Sequence, residues 1–196
     1  NLTITASTGA AAALINGVTI HSWSGLGRDV DPPDPDEYDE TGVRKVIQSP
    51  KWRAAFKRIK STDILVIDEI SMLPAYFLTN LETVCRMAKS NDKPFGGIQV
   101  IMVGDYLQLP PVSHGEPGRD GEPVDGRLCF FSPAFKKARF KFCYLDRIRR
   151  SDDDRLTTLL NDIRSGEVPR DTIDMLLSRM DADRNPVKSY TRLYTK

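Results

Sequence analysis

Cysteine is scarce in this 196-residue sequence. Cys85, Cys129 and Cys143 are an odd number with no CxxC spacing, so neither a disulfide framework nor a zinc site is expected. Histidine is scarcer still: His21 and His114 stand far apart without cysteine neighbours, which leaves any bound metal to oxygen ligands. No apolar run is long enough to cross a bilayer, and the opening NLTITASTGAAAALING lacks the basic start and cleavage pattern of a secretion signal. A soluble, intracellular protein in a reducing compartment is expected, with no membrane partner. The net charge is only +1, so the whole-chain balance carries no basic footprint for nucleic acid. There is no internal repeat. No Gly-Lys pair occurs anywhere, which removes the phosphate-binding loop GxxxxGK[ST].

What is present is ordinary globular material, 40% hydrophobic and 28% charged, enough for one domain or one domain plus pieces of a second. Charge is segregated along it. Asp29, Asp31, Asp34, Asp36, Glu37, Asp39 and Glu40 form an acidic, proline-containing stretch, whereas residues 51–60 and 136–150 are basic. Solvated loops and helix faces account for each of these as well as binding does.

Residues 2–5 read as a short strand, followed by Ser7-Thr8-Gly9 and a small-residue helix over 10–15 that Thr8 caps and Gly17 closes. Residues 28–42 lack apolar period and read as an irregular excursion. The unbroken apolar run 64–67 reads as a strand buried on both faces, stopping at Asp68-Glu69. Pro74 suits a first helical turn, and Phe77, Leu78, Leu81, Val84, Cys85 and Ala88 recur at helical spacing. A turn through 94–97 leads to a second buried strand over 98–103, which stops at Gly104-Asp105. Strand, helix and strand together predict a right-handed parallel crossover. Residues 113–127 read as a mobile loop, 142–145 as another strand, and 156–163 as a helix that Gly166 ends. Ile173 to Met180 continue at helical spacing, and 190–194 reads as one more strand.

Open parallel sheets bind ligands beyond the carboxyl ends of their strands, so polar residues that end apolar strands are the first candidates. Asp68 can hold Mg²⁺ through water while Glu69 polarises a water attacking a γ-phosphate, or the pair simply caps the next helix; alone, such a pair decides nothing. In GDYLQLPPV, Asp105 and Gln108 sit just past the second strand. An amide there can donate to a phosphate oxygen and accept from a water. Two strand ends with this chemistry favour a nucleotide.

The stretches TASTGAAA, GVTIHSWSGLG, ILVIDEISML, NDKPFGGIQVIMVGDYLQLPPV and LNDIRSGEVP together resemble the petite integration frequency (Pif) helicase family, superfamily-one motors that move 5′ to 3′ on DNA. The resemblance spans nearly the whole chain, and KPFGGIQ joined to GDYLQLPP is its most specific part. It implies an α/β fold: a P-loop NTPase (RecA-like) parallel sheet flanked by helices, incomplete at both ends. Residues 1–188 would be the first motor domain without its Walker A strand, loop and helix, with 28–60 an inserted, partly irregular segment; residues 189–196 would begin a second RecA-like domain, a partner in cis. It implies ATP and Mg²⁺ as cofactors, with Asp68 organising Mg²⁺, Glu69 the catalytic base and Gln108 the sensor of the γ-phosphate. Arg149, in LDRIRR, matches the arginine that stabilises charge on the phosphate. Ile148 and Arg150 depart from the Phe and Gln expected beside it, which leaves Arg150 as the other candidate.

For DNA, the resemblance assigns Thr8, Gly9, Thr19 and His21 to single-strand phosphates. A hydroxyl, a close-approach glycine and helix N-terminal amides make a neutral phosphate cradle. Without the resemblance, Thr8 reads as a plain helix cap and His21 as a core histidine. Trp23 and Trp52 either stack on bases or anchor the core, with the core favoured. Lys51, Arg53, Lys57 and Arg58 either line the strand's path or form a solvated helix face. The implied parent is a monomeric, ATP-dependent 5′-to-3′ helicase on single-stranded and forked DNA, in nucleus or mitochondrion if the cell is eukaryotic, with roles in repair, recombination and telomere maintenance. The chain alone is expected not to hydrolyse ATP. Two other readings are a non-catalytic single-strand-binding or regulatory product and a P-loop ATPase acting on protein or RNA.

Overall fold

A computed structural model of the chain describes residues 1–27, 52–112, 128–145 and 153–180. It divides into two compact units, Asn1–Phe142 and Cys143–Lys196. In the first, four strands form one parallel sheet in the order β2-β1-β3-β4: β1 (Leu2–Ala6), β2 (Val18–Thr19), β3 (Ile64–Asp68) and β4 (Gln99–Met102). The register aligns Ile4 with Val66 and Val66 with Ile101, and sets Ala6 opposite Asp68. The helices of this unit are α1 (Gly9–Leu14), α2 (Ile20–Ser24), α3 (Trp52–Ser61), α4 (Ala75–Lys89) and α5 (Pro133–Ala138). The parallel β3-α4-β4 crossover expected from 64–103 is present.

One sheet face holds the core. Side chains alternate along a strand, so Leu65 and Ile67 point together, and both are fully buried. The apolar side chains of α4, spaced at three and four residues, bring Phe77, Leu78, Leu81, Val84 and Cys85 into the same cluster, and Ile59 of α3 joins them. Each such side chain contributes roughly 1.5–3 kcal/mol on burial. Leu81→Ala would cost about 2–5 kcal/mol.

The other face differs from the sequence expectation of strands buried on both sides. Ile64 and Val66 are only half-buried, and Ile4, Ile101 and Val103 are about two-fifths exposed, at 38%, 42% and 43%. Among the described residues this face meets only the six-residue α1, whose Ala11 and Ala12 cover Ala6 and little more. An apolar run predicts that a strand is made; its burial depends on which helices reach it.

The KPFGGIQ segment turns tightly at a short 3-10 helix, Pro94–Gly97, where Phe95 and Gly96 both adopt left-handed backbone (φ 51 and 65). A β-carbon on Gly96 would stand 2.5 Å from the carbonyl oxygen of Cys85. Glycine is thus required where the turn presses on α4, and Phe95 beside it is 1% exposed.

In the second unit, α6 (Asp154–Ser165) is capped by Asp153, whose carboxylate accepts the Arg155 and Leu156 amides, and it ends at left-handed Gly166 (φ 76) as expected. Helix α7 (Arg170–Met180) follows, and Thr172 Oγ1 donates to Asp162 Oδ2 at 2.5 Å across the pair. No strand forms over residues 142–145, contrary to expectation. Phe142, Tyr144 and Leu145 stay exposed, since aromatic and apolar content makes a strand only where a neighbour supplies the ladder. The acidic stretch 29–40, the 113–127 loop, the 190–194 strand and the 188–189 boundary lie outside the described residues.

Candidate functional site

All four strands run the same way, so their carboxyl ends share one edge of the sheet. Asp68 closes β3 and shares the parity of Ile64 and Val66, leaving the sheet on the face that α4 does not cover. Its Oδ1 accepts the Glu69 amide at 2.9 Å, and its backbone carbonyl accepts the Ser7 amide at 3.1 Å. Glu69 adopts left-handed backbone (φ 54, ψ 46) ahead of a 3-10 helix, Ile70–Met72, and its carboxylate makes no cap hydrogen bond. Helix capping therefore does not account for it. A non-glycine residue in that conformation costs on the order of 1–3 kcal/mol, and such strain gathers at functional turns.

The β4 end is stitched to the β3 end. Ile70 donates its amide to the Val103 carbonyl at 3.0 Å, and Val103 donates to Ile67 at 2.9 Å. Gly104 follows directly. A β-carbon there would lie 2.8 Å from the Ile70 nitrogen, so only glycine lets the two strand ends close up this far.

Beyond Gly104 the chain folds around Asp105. One carboxylate oxygen accepts the Leu107 amide at 3.1 Å, the other accepts the Gln108 side-chain amide at 3.1 Å, and the Asp105 carbonyl accepts the Gln108 backbone amide at 3.0 Å. Gln108 itself is exposed. The same loop is tied back by Tyr106, whose hydroxyl lies 3.0 Å from Cys129 Sγ and whose ring meets Phe130 edge-on at 5.0 Å. Burial pushes the Cys129 thiol up to about 11; burial, then the bond to Cys129, raises the Tyr106 hydroxyl as well. Both stay protonated at neutral pH. Sequence reasoning missed this tie, because the partner stands 23 positions away with no shared motif. The Asp105 turn was legible in principle, since aspartate commonly bonds the amide two residues on.

The ends of β1 and β2 carry the remaining candidates. Thr8 caps α1 by accepting the Ala11 amide at 3.2 Å, and Thr19 caps α2 by accepting the Ser22 amide at 3.2 Å. A β-carbon on Gly9 would meet nothing within 4 Å, so packing does not demand glycine there. His21 is half-buried, its ring 4.4 Å from Phe77. Trp23 is 2% exposed, and Trp52 packs on Phe56 against the core, so both indoles are anchors. Of the basic candidates, Arg53 and Lys57 are exposed, Arg58 turns inward onto α2, and Lys51 lies outside the described residues, as do Arg149 and Arg150.

Among the described residues no group of three or more His, Cys, Asp or Glu could hold a metal unaided. A hard cation at Asp68 would therefore share its coordination with waters and phosphate oxygens, the usual arrangement for Mg²⁺. No helix among the described residues is long and apolar enough to cross a membrane.

The profile of the PIF1-like helicase family matches residues 1–171. The ATP-dependent DNA helicase Pif1 of Psychrobacter sp. is 42% identical over 168 residues, covering 82% of this chain and 23% of that protein. The ATP-dependent DNA helicase RRM3 of Saccharomyces cerevisiae is 40% identical over 171 residues, covering 87% and 22% respectively. The chain thus spans less than a quarter of either relative. Among solved structures, Pif1 helicase from Bacteroides in complex with ADP-AlF3 and ssDNA matches 97% of this chain and 42% of its own, with a TM-score of 0.74 at 32% identity. Pif1 helicase from Candida albicans matches 89% of this chain and 36% of its own, at a TM-score of 0.71 and 34% identity.

Proposed function

Because the chain belongs to the PIF1-like helicase family, we propose that it is the first RecA-like motor domain of an ATP-dependent 5′-to-3′ DNA helicase, acting on single-stranded and forked DNA. The observation that carries this reading is the carboxyl edge of the sheet, where Gly104 closes against Ile70, so that the chain leading to Gln108 leaves β4 next to the end of β3. Carboxylates at one rigid strand end, with an amide on the loop that leaves the next, suit phosphoryl transfer, which asks a protein for positioning and charge more than covalent chemistry.

In this reading Asp68 holds Mg²⁺ through water, Glu69 takes the proton of the attacking water, and Gln108 contacts the γ-phosphate. Bound Mg²⁺ would neutralise charge on the phosphates. The Asp105 carboxylate holds the Gln108 amide until a phosphate oxygen competes for it. Arg149 or its neighbour Arg150 supplies positive charge to the same phosphate. Thr8, Gly9, Thr19 and His21 take single-strand phosphates at the neighbouring ends of β1 and β2, and the open space at Gly9 supports that assignment. The working place is nucleus or mitochondrion in a eukaryote, with repair, recombination and telomere maintenance as the processes served.

The test is Glu69→Gln in a protein joining this chain to a phosphate-binding loop and a second motor domain. Loss of a general base lowers turnover by on the order of 10²–10⁴. DNA-stimulated ATP hydrolysis and unwinding should fall together while oligo-dT binding persists; unaltered unwinding would remove Glu69 from the mechanism.

A further inference from the structure

Helix α2 is five residues long, too short to hold its shape by its own hydrogen bonds. Its underside is anchored by Ile20 and Trp23, both buried, and its front by the Thr19 cap. Its rear ends at left-handed Gly25 (φ 77), whose amide bonds the His21 carbonyl at 3.0 Å. Two carbonyls at that rear end, those of Ser22 and Trp23, would otherwise lack partners, as helix ends do.

Both are taken by one guanidinium. Arg58, 35 residues beyond Trp23 on α3, donates Nε to Trp23 O at 3.1 Å and Nη2 to Ser22 O at 2.7 Å. A planar cationic fork matches two adjacent carbonyls and complements the negative end of the helix dipole; an ammonium reproduces the charge but not the fork. On the same basic helix, Arg53 and Lys57 are exposed, whereas Arg58 is half-buried and gives two of its five donors to α2.

We propose that Arg58 is a positioning residue for single-stranded DNA: it touches no phosphate, but fixes the orientation of the short helix that presents Thr19 and His21. This rests on the DNA reading above. It predicts that shape matters at residue 58 more than charge, the reverse of a phosphate contact.

The experiment compares the 196-residue chain with Arg58→Lys and Arg58→Gln, measuring anisotropy of a fluorescent dT oligomer over a range of salt and amide exchange across α2. Both variants should speed exchange at Trp23 to Gly25 and weaken dT binding by about tenfold, the loss expected for charge-assisted hydrogen bonds. The salt slope should stay that of the wild type. If Arg58→Lys binds like the wild type while Arg58→Gln loses affinity and about one unit of salt slope, Arg58 holds phosphate directly and the proposal is overturned. Variants that bind as tightly as the wild type overturn it alone. A wild-type chain that binds no dT oligomer brings down the DNA reading, and this proposal with it. Exchange in β4, at the edge of the sheet opposite the strand that leads into α2, shows that the variants remain folded, and the milder Arg58→Lys keeps the comparison usable if Arg58→Gln does not fold.

Discussion

The hydroxyl of Tyr106 lies 3.0 Å from Cys129 Sγ, a hydrogen bond that fastens the loop bearing Gln108 to the short helix Cys129–Phe131. Removing the hydroxyl leaves a buried thiol without its partner. Tyr106→Phe should lower unfolding stability by about 1 kcal/mol. A double-mutant cycle with Cys129→Ala, read by urea midpoints, should show coupling of similar size; strictly additive effects would mean that the contact contributes nothing.

Alkaline pH should weaken the fold. Burial raises the Cys129 thiol from its ordinary 9.0 to about 11, and raises Cys85 and Tyr106 in the same sense. In each case the folded state holds its proton more tightly than the unfolded state. The stabilisation is complete below the unfolded value, and for Cys129 it is lost from about 9 to about 11 as pH rises through the folded value. Urea midpoints should therefore stay level on this account up to pH 9.0 and fall above it. Disulfide reagents at neutral pH should label exposed Cys143 first, with Cys85 and Cys129 following only as the fold opens; a second fast thiol would contradict their burial.

Two left-handed glycines should differ in their tolerance of alanine. At Gly96 the new methyl would meet Cys85 O at 2.5 Å, adding a clash to the strain, so Gly96→Ala should cost roughly 2–4 kcal/mol. At Gly166 nothing lies within 4 Å, and Gly166→Ala should cost only the left-handed conformation, about 1 kcal/mol. Circular dichroism melts of both variants test the order. Equal losses would show that the turn at Pro94–Gly97 yields more readily than its geometry implies.

Capping and DNA contact can be separated at Thr8. Asparagine caps helices as well as threonine does, whereas Thr8→Ala should cost about 1 kcal/mol. Under the proposed DNA reading, Thr8→Asn should thus keep the stability of the wild type yet weaken oligo-dT binding, by replacing the hydroxyl with a bulkier amide. Unchanged affinity in a stable Thr8→Asn chain would reduce Thr8 to a cap.

Much of this architecture was legible from local pattern. The β1 and β3 strands, the α4 stripe from Phe77 to Ala88, the Thr8 cap and the Gly166 stop each follow from spacing or turn chemistry within a few residues. The misses are non-local. Whether Ile101 is buried depends on helices that reach the sheet from elsewhere, and whether 142–145 forms a strand depends on a neighbour to pair with. At the site, Asp68, Glu69 and Gln108 were legible as strand-end residues. The closure of Gly104 on Ile70, the Tyr106 tie and the inward turn of Arg58 were not, because each joins residues far apart in sequence or exposes no pattern until the backbone is placed.

Under the proposed reading, the side-by-side strands leave little room for gearing. From the end of β2, which leads into His21, to the end of β4, which leads into Gln108, there are three strand spacings, or about 14 Å. Hydrogen-bonded ladders bridge that gap with no hinge between them. A shift of the Gln108 loop on loss of the γ-phosphate would meet a stiff plate whose far rim grips the strand. Stepping would then come from this plate moving as one body against whatever closes the pocket opposite it, and nucleotide and DNA would be felt at the two rims together rather than in relay.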